Sequence, residues 1–213
     1  AYSEAALRLQ KAGCDGVEVL AGMGYLVAQF MNPSTNQRKD EFGGSFENRL
    51  RFLSEILIKT RAKVGGEFVI GIRVSGDELD GFGLDAKEML KICKTIDDKQ
   101  LVDYFNVIAS SSATPFGWIR VFPPMEIKPL YAAPFAKEIR KNVSRPVMLG
   151  GRINQPQEAE KIISEGVADF CAMVRPFIAD PEFAIKAESG NSEDIRACVA
   201  CNQACVGHRL AHF

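Results

Sequence analysis

The apolar positions of this chain change period repeatedly. Over residues 3–12 they fall at Ala6, Leu7, Leu9 and Ala12, the spacing of one helix face, and Gly13 ends the run. GVEVL (16–20) is a short apolar run of strand length. Residues 47–64 return to helical spacing through Leu50, Leu53, Ile56, Leu57 and Val64, closed by Gly65 and Gly66. FVIGIRVS (68–75) reads as a strand, 85–98 as a helix and DYFNVIAS (103–110) as a strand. A long loop, 111–130, follows. The pattern then predicts a helix over 131–142, a strand at PVMLGG (146–151) and a helix over 156–165 ended by Gly166. A strand at DFCAMV (169–174) and a short helix over 181–189 complete it. The strands are nearly continuous apolar runs, as when both faces of a parallel sheet are covered.

Five strand–helix units in succession suit a (β/α)8 barrel or an open doubly wound sheet. Polar residues cluster at the strand C-terminal ends, where barrels build their sites, which favours the barrel. No G-x-G-x-x-G follows the first strand, and the glycines of VLAGMGYL have the wrong spacing for it. Five units do not close an eight-stranded barrel. Either three N-terminal strands lie outside this chain, or the fold is not a barrel.

Composition narrows the class. With 46% hydrophobic and 25% charged residues, the 213-residue chain reads as soluble globular material. A net charge of -1 gives no electrostatic case for a nucleic-acid or membrane partner. The N-terminal AYSEAALRLQKAG is amphipathic, without the apolar centre of a signal peptide.

Six cysteines divide into two groups. Cys14, Cys93 and Cys171 are isolated and read as buried thiols. Cys198, Cys201 and Cys205 form C-x2-C-x3-C, which reads as metal or redox chemistry in a reducing, cytoplasmic setting. Residues 191–213 are thus expected to begin a separate cysteine-rich segment. Spacing alone also allows a zinc site with His208 or His212 as fourth ligand.

The last two predicted strands end in GGRINQP (150–156) and MVRPFIADP (173–181), each with an arginine at its C-terminus. Backbone N–H groups of Gly150 and Gly151 would approach an anion closely, and Arg152 and Arg175 would add charge-assisted bonds. By itself this indicates a phosphate-binding barrel and no particular reaction. A lyase or isomerase with a structural zinc remains an alternative.

GCDGVEVLAGMGYLVAQFMNPSTNQRKDEFGGSFENRLRF (13–52) resembles the signature region of the old yellow enzyme family, the FMN-dependent NADH:flavin oxidoreductases. The resemblance continues through VIGIRVS, GGRI, ADFCAMVRPFIADPE and the cysteine motif. It implies an α/β fold, a (β/α)8 barrel with FMN at its C-terminal mouth. Residues 1–190 would be a partial barrel, about strands four to eight, with 16–20 as the fourth strand and 169–174 as the eighth. The cysteines resemble those of the iron–sulfur branch, which includes N-methylproline demethylase, dimethylamine dehydrogenase and 2,4-dienoyl-CoA reductase. In that branch a fourth cysteine completes a 4Fe–4S cluster, here expected beyond Phe213. Relatives pass electrons to a partner protein or to further C-terminal regions carrying FAD and NAD(P).

Residue by residue, the resemblance implies that Arg73 contacts the flavin. Gly150, Gly151, Arg152, Val174 and Arg175 would hold its phosphate. Cys198, Cys201 and Cys205 would ligate the cluster, and Tyr25 would stand near the substrate as a proton donor. Met23, Trp118 and Arg120, with Phe116, would line the substrate pocket. Leu20 and Met23 stand where many members place a histidine pair that binds a substrate oxyanion, and neither donates a useful hydrogen bond. The loop 110–125 also lacks the histidine of dienoyl-CoA reductase. The expected reaction is oxidative demethylation of an N-methylated amine or amino acid. The alternative is NAD(P)H-dependent reduction of a 2,4-dienoyl-CoA or enoate.

Overall fold

The computed structural model describes residues 1–207; His208, His212 and Phe213 lie outside the described residues. The chain folds as a partial barrel. Helix α1 (Tyr2–Lys11) leads into β1 (Gly16–Leu20), α2 (Leu26–Met31) and α3 (Phe46–Val64). Strand β2 (Val69–Ser75) is followed by α4 (Ala86–Asp98), β3 (Tyr104–Ile108), α5 (Pro115–Trp118) and α6 (Ala133–Asn142). Then come β4 (Val147–Gly150), α7 (Pro156–Ser164), β5 (Phe170–Ala172), α8 (Arg175–Ala179) and α9 (Phe183–Glu188). The five strands are all parallel and lie in sequence order, β1 to β5. That order belongs to a barrel segment, not to a doubly wound sheet, whose order reverses at a switch point.

Local chemistry explains the helices. Ser45 caps α3 by accepting from the Asn48 N–H, and Gly65 ends it at φ +80°. Asp85 caps α4 through the Glu88 N–H, and Gln155 with Glu158 forms a reciprocal capping box on α7. Three short helices, α2, α5 and α8, escape the periodicity, since none exceeds six residues and so none completes two turns. The 111–130 loop accordingly contains α5.

One face of the sheet is sealed by helices. Ile70, Ile72, Val74, Phe105, Val107, Val147 and Leu149 are wholly buried there, with Leu53 and Leu57 of α3 and Ile92 and Ile96 of α4 in the same core. The opposite face would line the barrel interior, and it is partly open, with Val69 and Phe170 exposed. Cys93 is buried as expected, and burial pushes its thiol up to about 12. Cys171 is half-buried. Cys14 departs from expectation: it is exposed, because it lies in the turn after α1 and before β1, outside any packed face. Among the described residues no helix is long and apolar enough to cross a membrane.

Candidate active site

Strand register builds the site on the open face. Side chains alternate along each strand, so Glu18 of β1, Gly71 and Arg73 of β2, and Tyr104 and Asn106 of β3 share that face. Glu18 pairs with Gly71 and Gly71 with Tyr104; one step further along, Arg73 pairs with Asn106. Gly71 supplies the gap. A Cβ there would lie 2.1 Å from the Tyr104 ring, so the ring crosses β2 only because residue 71 has no side chain.

These residues form a polar network. Arg73 Nε lies 2.8 Å from Glu18 Oε1, and the other carboxylate oxygen accepts from Tyr104 Oη (3.0 Å) and Asn106 Nδ2 (2.9 Å). The ion pair is close but not aligned, and Arg73 Nε makes no hydrogen bond among the described residues. Burial, then the Glu18 carboxylate, push the Tyr104 phenol up to about 12, so it stays protonated and donating.

Above this network, at the strand C-terminal ends, lies a cleft. It is lined by Met23, Arg73, Asn106, Ser110, Arg120, Tyr131, Gly150 to Asn154 and Ala172 to Pro176, and it encloses ≈ 150 Å³. A larger groove of ≈ 840 Å³ runs along the β5 edge past Ile163, Phe170 and Phe183, but it gathers none of the polar strand-end residues.

The cleft thus joins Met23, Arg73, Arg120, Gly150, Gly151, Arg152, Val174 and Arg175. Met23 is held at φ +61° by its N–H donating to Ser75 Oγ (3.0 Å) and by Ser112 N–H donating to its carbonyl (2.9 Å). Arg120 stacks its guanidinium 4.4 Å over Phe116 and donates to that residue's carbonyl. Gly151 takes φ +134° beneath the Tyr131 ring, and Arg152 follows at φ +51°. Tyr131 Oη donates to the Arg120 carbonyl (2.8 Å), and burial raises its phenol to about 12.

Three expected residues, Tyr25, Phe116 and Trp118, stand outside the cleft. Tyr25 precedes α2 and lines a neighbouring pocket with Asn32, Glu78 and Ser112. Trp118 packs on Phe122. The cysteine segment follows α9. Cys198 is half-buried, and Cys201 and Cys205 are exposed. Among the described residues no three histidine, cysteine or acidic side chains converge as a metal site.

Glu18, Tyr104, Asn106 and Tyr131 were missed by sequence reasoning. A signal existed for two of them: Glu18 in GVEVL and Asn106 in YFNVI are lone polar positions in apolar strands. Their convergence was not readable.

The residues fit FMN. Asn106 Oδ1, Ser110 Oγ and Arg152 Nε and Nη1 are buried in or beside the cleft without partners among the described residues, and Arg73 Nε, ion-paired with Glu18, makes no hydrogen bond. Unpaired buried groups of this kind are costly, and a ligand rich in acceptors and donors, ending in a phosphate, satisfies them. The cysteines supply the donor type of an iron–sulfur cluster but, among the described residues, not its geometry.

Comparison with known proteins identifies the family. The profile of the NADH:flavin oxidoreductase / NADH oxidase family matches residues 1–194. The chain is 38% identical over 209 residues to an NADH oxidase of Thermoanaerobacter brockii, covering 98% of this chain and 32% of that protein. It is 36% identical over 201 residues to a probable N-methylproline demethylase of Rhizobium meliloti, covering 94% of this chain and 30% of that protein. The solved structure of 2-naphthoyl-CoA reductase with 2-naphthoyl-CoA superposes with a TM-score of 0.88 at 36% identity, over 95% of this chain and 30% of that one. The chain thus spans about a third of the length of the relatives it matches. With most of its length matched by the profile and its strand-end arginines gathered at one cleft, the chain belongs to the NADH:flavin oxidoreductase / NADH oxidase family.

Proposed function

We propose that the protein is an FMN-dependent oxidoreductase that oxidises an N-methylated amine or amino acid. The observation that carries the flavin reading is the set of buried polar atoms of Asn106, Ser110 and Arg152 that have no partner among the described residues around one strand-end cleft. Arg152 and Arg175, with the Gly150–Gly151 backbone, would hold the phosphate. Arg73 would lie against the ring, where a cation favours the reduced, anionic form. Bound there, FMN would supply the acceptor for a hydride equivalent from the N-methyl carbon of the substrate. The substrate iminium left behind adds water and releases formaldehyde and the demethylated amine.

The chain's own residues support amine oxidation more than reduction of a conjugated carbonyl. Leu20 and Met23 offer no donor to a substrate oxyanion, so polarisation of an enone is unsupported at those positions. Met23 presents an apolar wall, and Arg120 stands at the rim, where a substrate carboxylate would find it. Tyr25 and Trp118 flank the cleft, so substrate contact is assigned to Met23 and Arg120. Similarity to the Rhizobium meliloti demethylase points the same way. Residues 191–213 would begin the cysteine-rich segment, with Cys198, Cys201 and Cys205 as its thiols. The family membership speaks against the lyase or isomerase alternative.

A second reading, reduction of an unsaturated acyl-CoA, is favoured by the structural likeness to 2-naphthoyl-CoA reductase. One experiment separates the two. Full-length protein is assayed for formaldehyde release from N-methyl amino acids and for NAD(P)H-dependent loss of enoyl-CoA absorbance. Formaldehyde release supports the first reading; acyl-CoA reduction without any formaldehyde overturns it.

A further inference from the structure

Arg175, at the phosphate end of the cleft, does not stand alone. Its Nη1 donates to the Pro123 carbonyl (3.0 Å) and to Asn202 Oδ1 (3.0 Å). Asn202 lies between Cys201 and Cys205. Its own Nδ2 donates to the Phe122 carbonyl at 2.6 Å. One amide side chain therefore ties three segments together: the 111–130 loop, the start of α8 and the cysteine segment.

The surrounding backbone is shaped to deliver that side chain. Asn202 sits at φ +59° and Ala200 at φ +55°, in the left-handed region that asparagine tolerates better than most residues. Ala200 is 1% exposed, so the segment is seated between half-buried Cys198 and exposed Cys201. Its near end is fixed separately, where the Arg196 N–H donates to buried Asp180 (2.9 Å). The clamp uses only Nη1 of Arg175. Among the described residues Nε and Nη2 make no hydrogen bond and remain for an anion.

We infer that Asn202 is a positioning residue: it holds Arg175 in place for the flavin phosphate and thereby couples the filling of the cleft to the seating of the cysteine segment. This rests on the flavin reading above. Coupling of this kind is reciprocal. Whatever orders Arg175 on the phosphate favours the seated segment, and whatever unseats the segment weakens the phosphate site. No titrating group is needed, only a shared guanidinium.

The test uses full-length protein stripped of flavin and titrated with FMN or with riboflavin, read by quenching of flavin fluorescence. Asn202→Gly is the main variant, because glycine keeps the left-handed backbone and removes only the amide. Its expected effect is about a tenfold loss of FMN affinity, the scale of one charge-assisted bond, with riboflavin affinity unchanged. A role confined to folding would lower both affinities together. Asn202→Asp keeps the acceptor but adds a carboxylate beside Arg175, and it too should weaken FMN selectively. Amide hydrogen exchange over residues 196–207 supplies the second readout. FMN should slow it in the natural protein and leave it unchanged in Asn202→Gly. Equal loss of FMN and riboflavin binding, or exchange in that segment indifferent to FMN in the natural protein, overturns the inference. Failure of the natural protein to bind any flavin would instead overturn the flavin reading.

Discussion

Tyr104 reaches across Gly71 to donate its hydroxyl to Glu18, over 3.0 Å and from two strands away. A tyrosine on β3 thereby orients a carboxylate on β1, and that carboxylate faces Arg73 on the strand between them. The arrangement depends on the absence of a side chain at residue 71. It sets the charge on the floor of the cleft.

Gly71→Ala would place a methyl group within the Tyr104 ring. The ring must swing away and release Glu18. Overpacking of this kind costs about 2 kcal/mol. Urea unfolding should show that loss, and Tyr104→Phe, which removes only the hydroxyl, should show a smaller one.

Glu18→Gln removes the negative charge beside Arg73 while keeping an acceptor for Tyr104 and Asn106. The cleft floor becomes more positive. The bound flavin should then be easier to reduce, with its midpoint potential rising by tens of millivolts in a spectroelectrochemical titration. Arg73→Met should move the potential the other way.

Arg152→Ala separates binding from folding. Arg152 Nε and Nη1 are buried without partners, so the flavin-free fold gains nothing from them. The variant should melt at or above the temperature of the natural protein in the flavin-free state. Its FMN affinity should nevertheless fall by at least about tenfold, the loss of a charge-assisted contact to phosphate.

Glu78 gives a pH signature. It is 1% exposed and accepts from Asn32 Nδ2 (3.0 Å) and the Leu84 N–H (2.8 Å). Burial, with Asp80 and Asp77 adding to it, raises its carboxyl from 4.5 to about 7. The folded state therefore holds this proton more tightly than the unfolded chain. Its contribution is fully present below pH 4.5 and is lost as pH rises toward 7. Glu78→Gln keeps an acceptor and removes the titration. The variant should gain stability over the natural protein as pH rises through that window, on the order of 3 kcal/mol at its upper end. Denaturant unfolding at several pH values checks this, and a pH-independent difference would contradict it.

Much of the fold was legible in the chain because its signals are local. The α3 helix shows its apolar face at Leu50, Leu53 and Leu57 and its glycine stop at Gly65, all within twenty residues. Strands buried on the helix side read as apolar runs, and Arg152 and Arg175 followed two of them plainly enough to suggest an anion site. The short helices α2, α5 and α8 were not legible, although α9, also of six residues, falls within the expected 181–189.

The amino-acid sequence by itself determined the alternation of strands and helices and the strand ends that carry the arginines, because spacing along the chain encodes both, and the family through the likeness of specific motifs such as residues 13–52. Only the tertiary structure decided which polar groups meet. Tyr104 finds Glu18 from 86 positions away, and Asn202 finds Phe122 from 80. Those meetings depend on register, where a shift of one residue turns every side chain of a strand to the opposite face. They also depend on how the last turns fold back over the open end of the sheet. No local pattern specifies such contacts; they exist only once the strands are laid side by side.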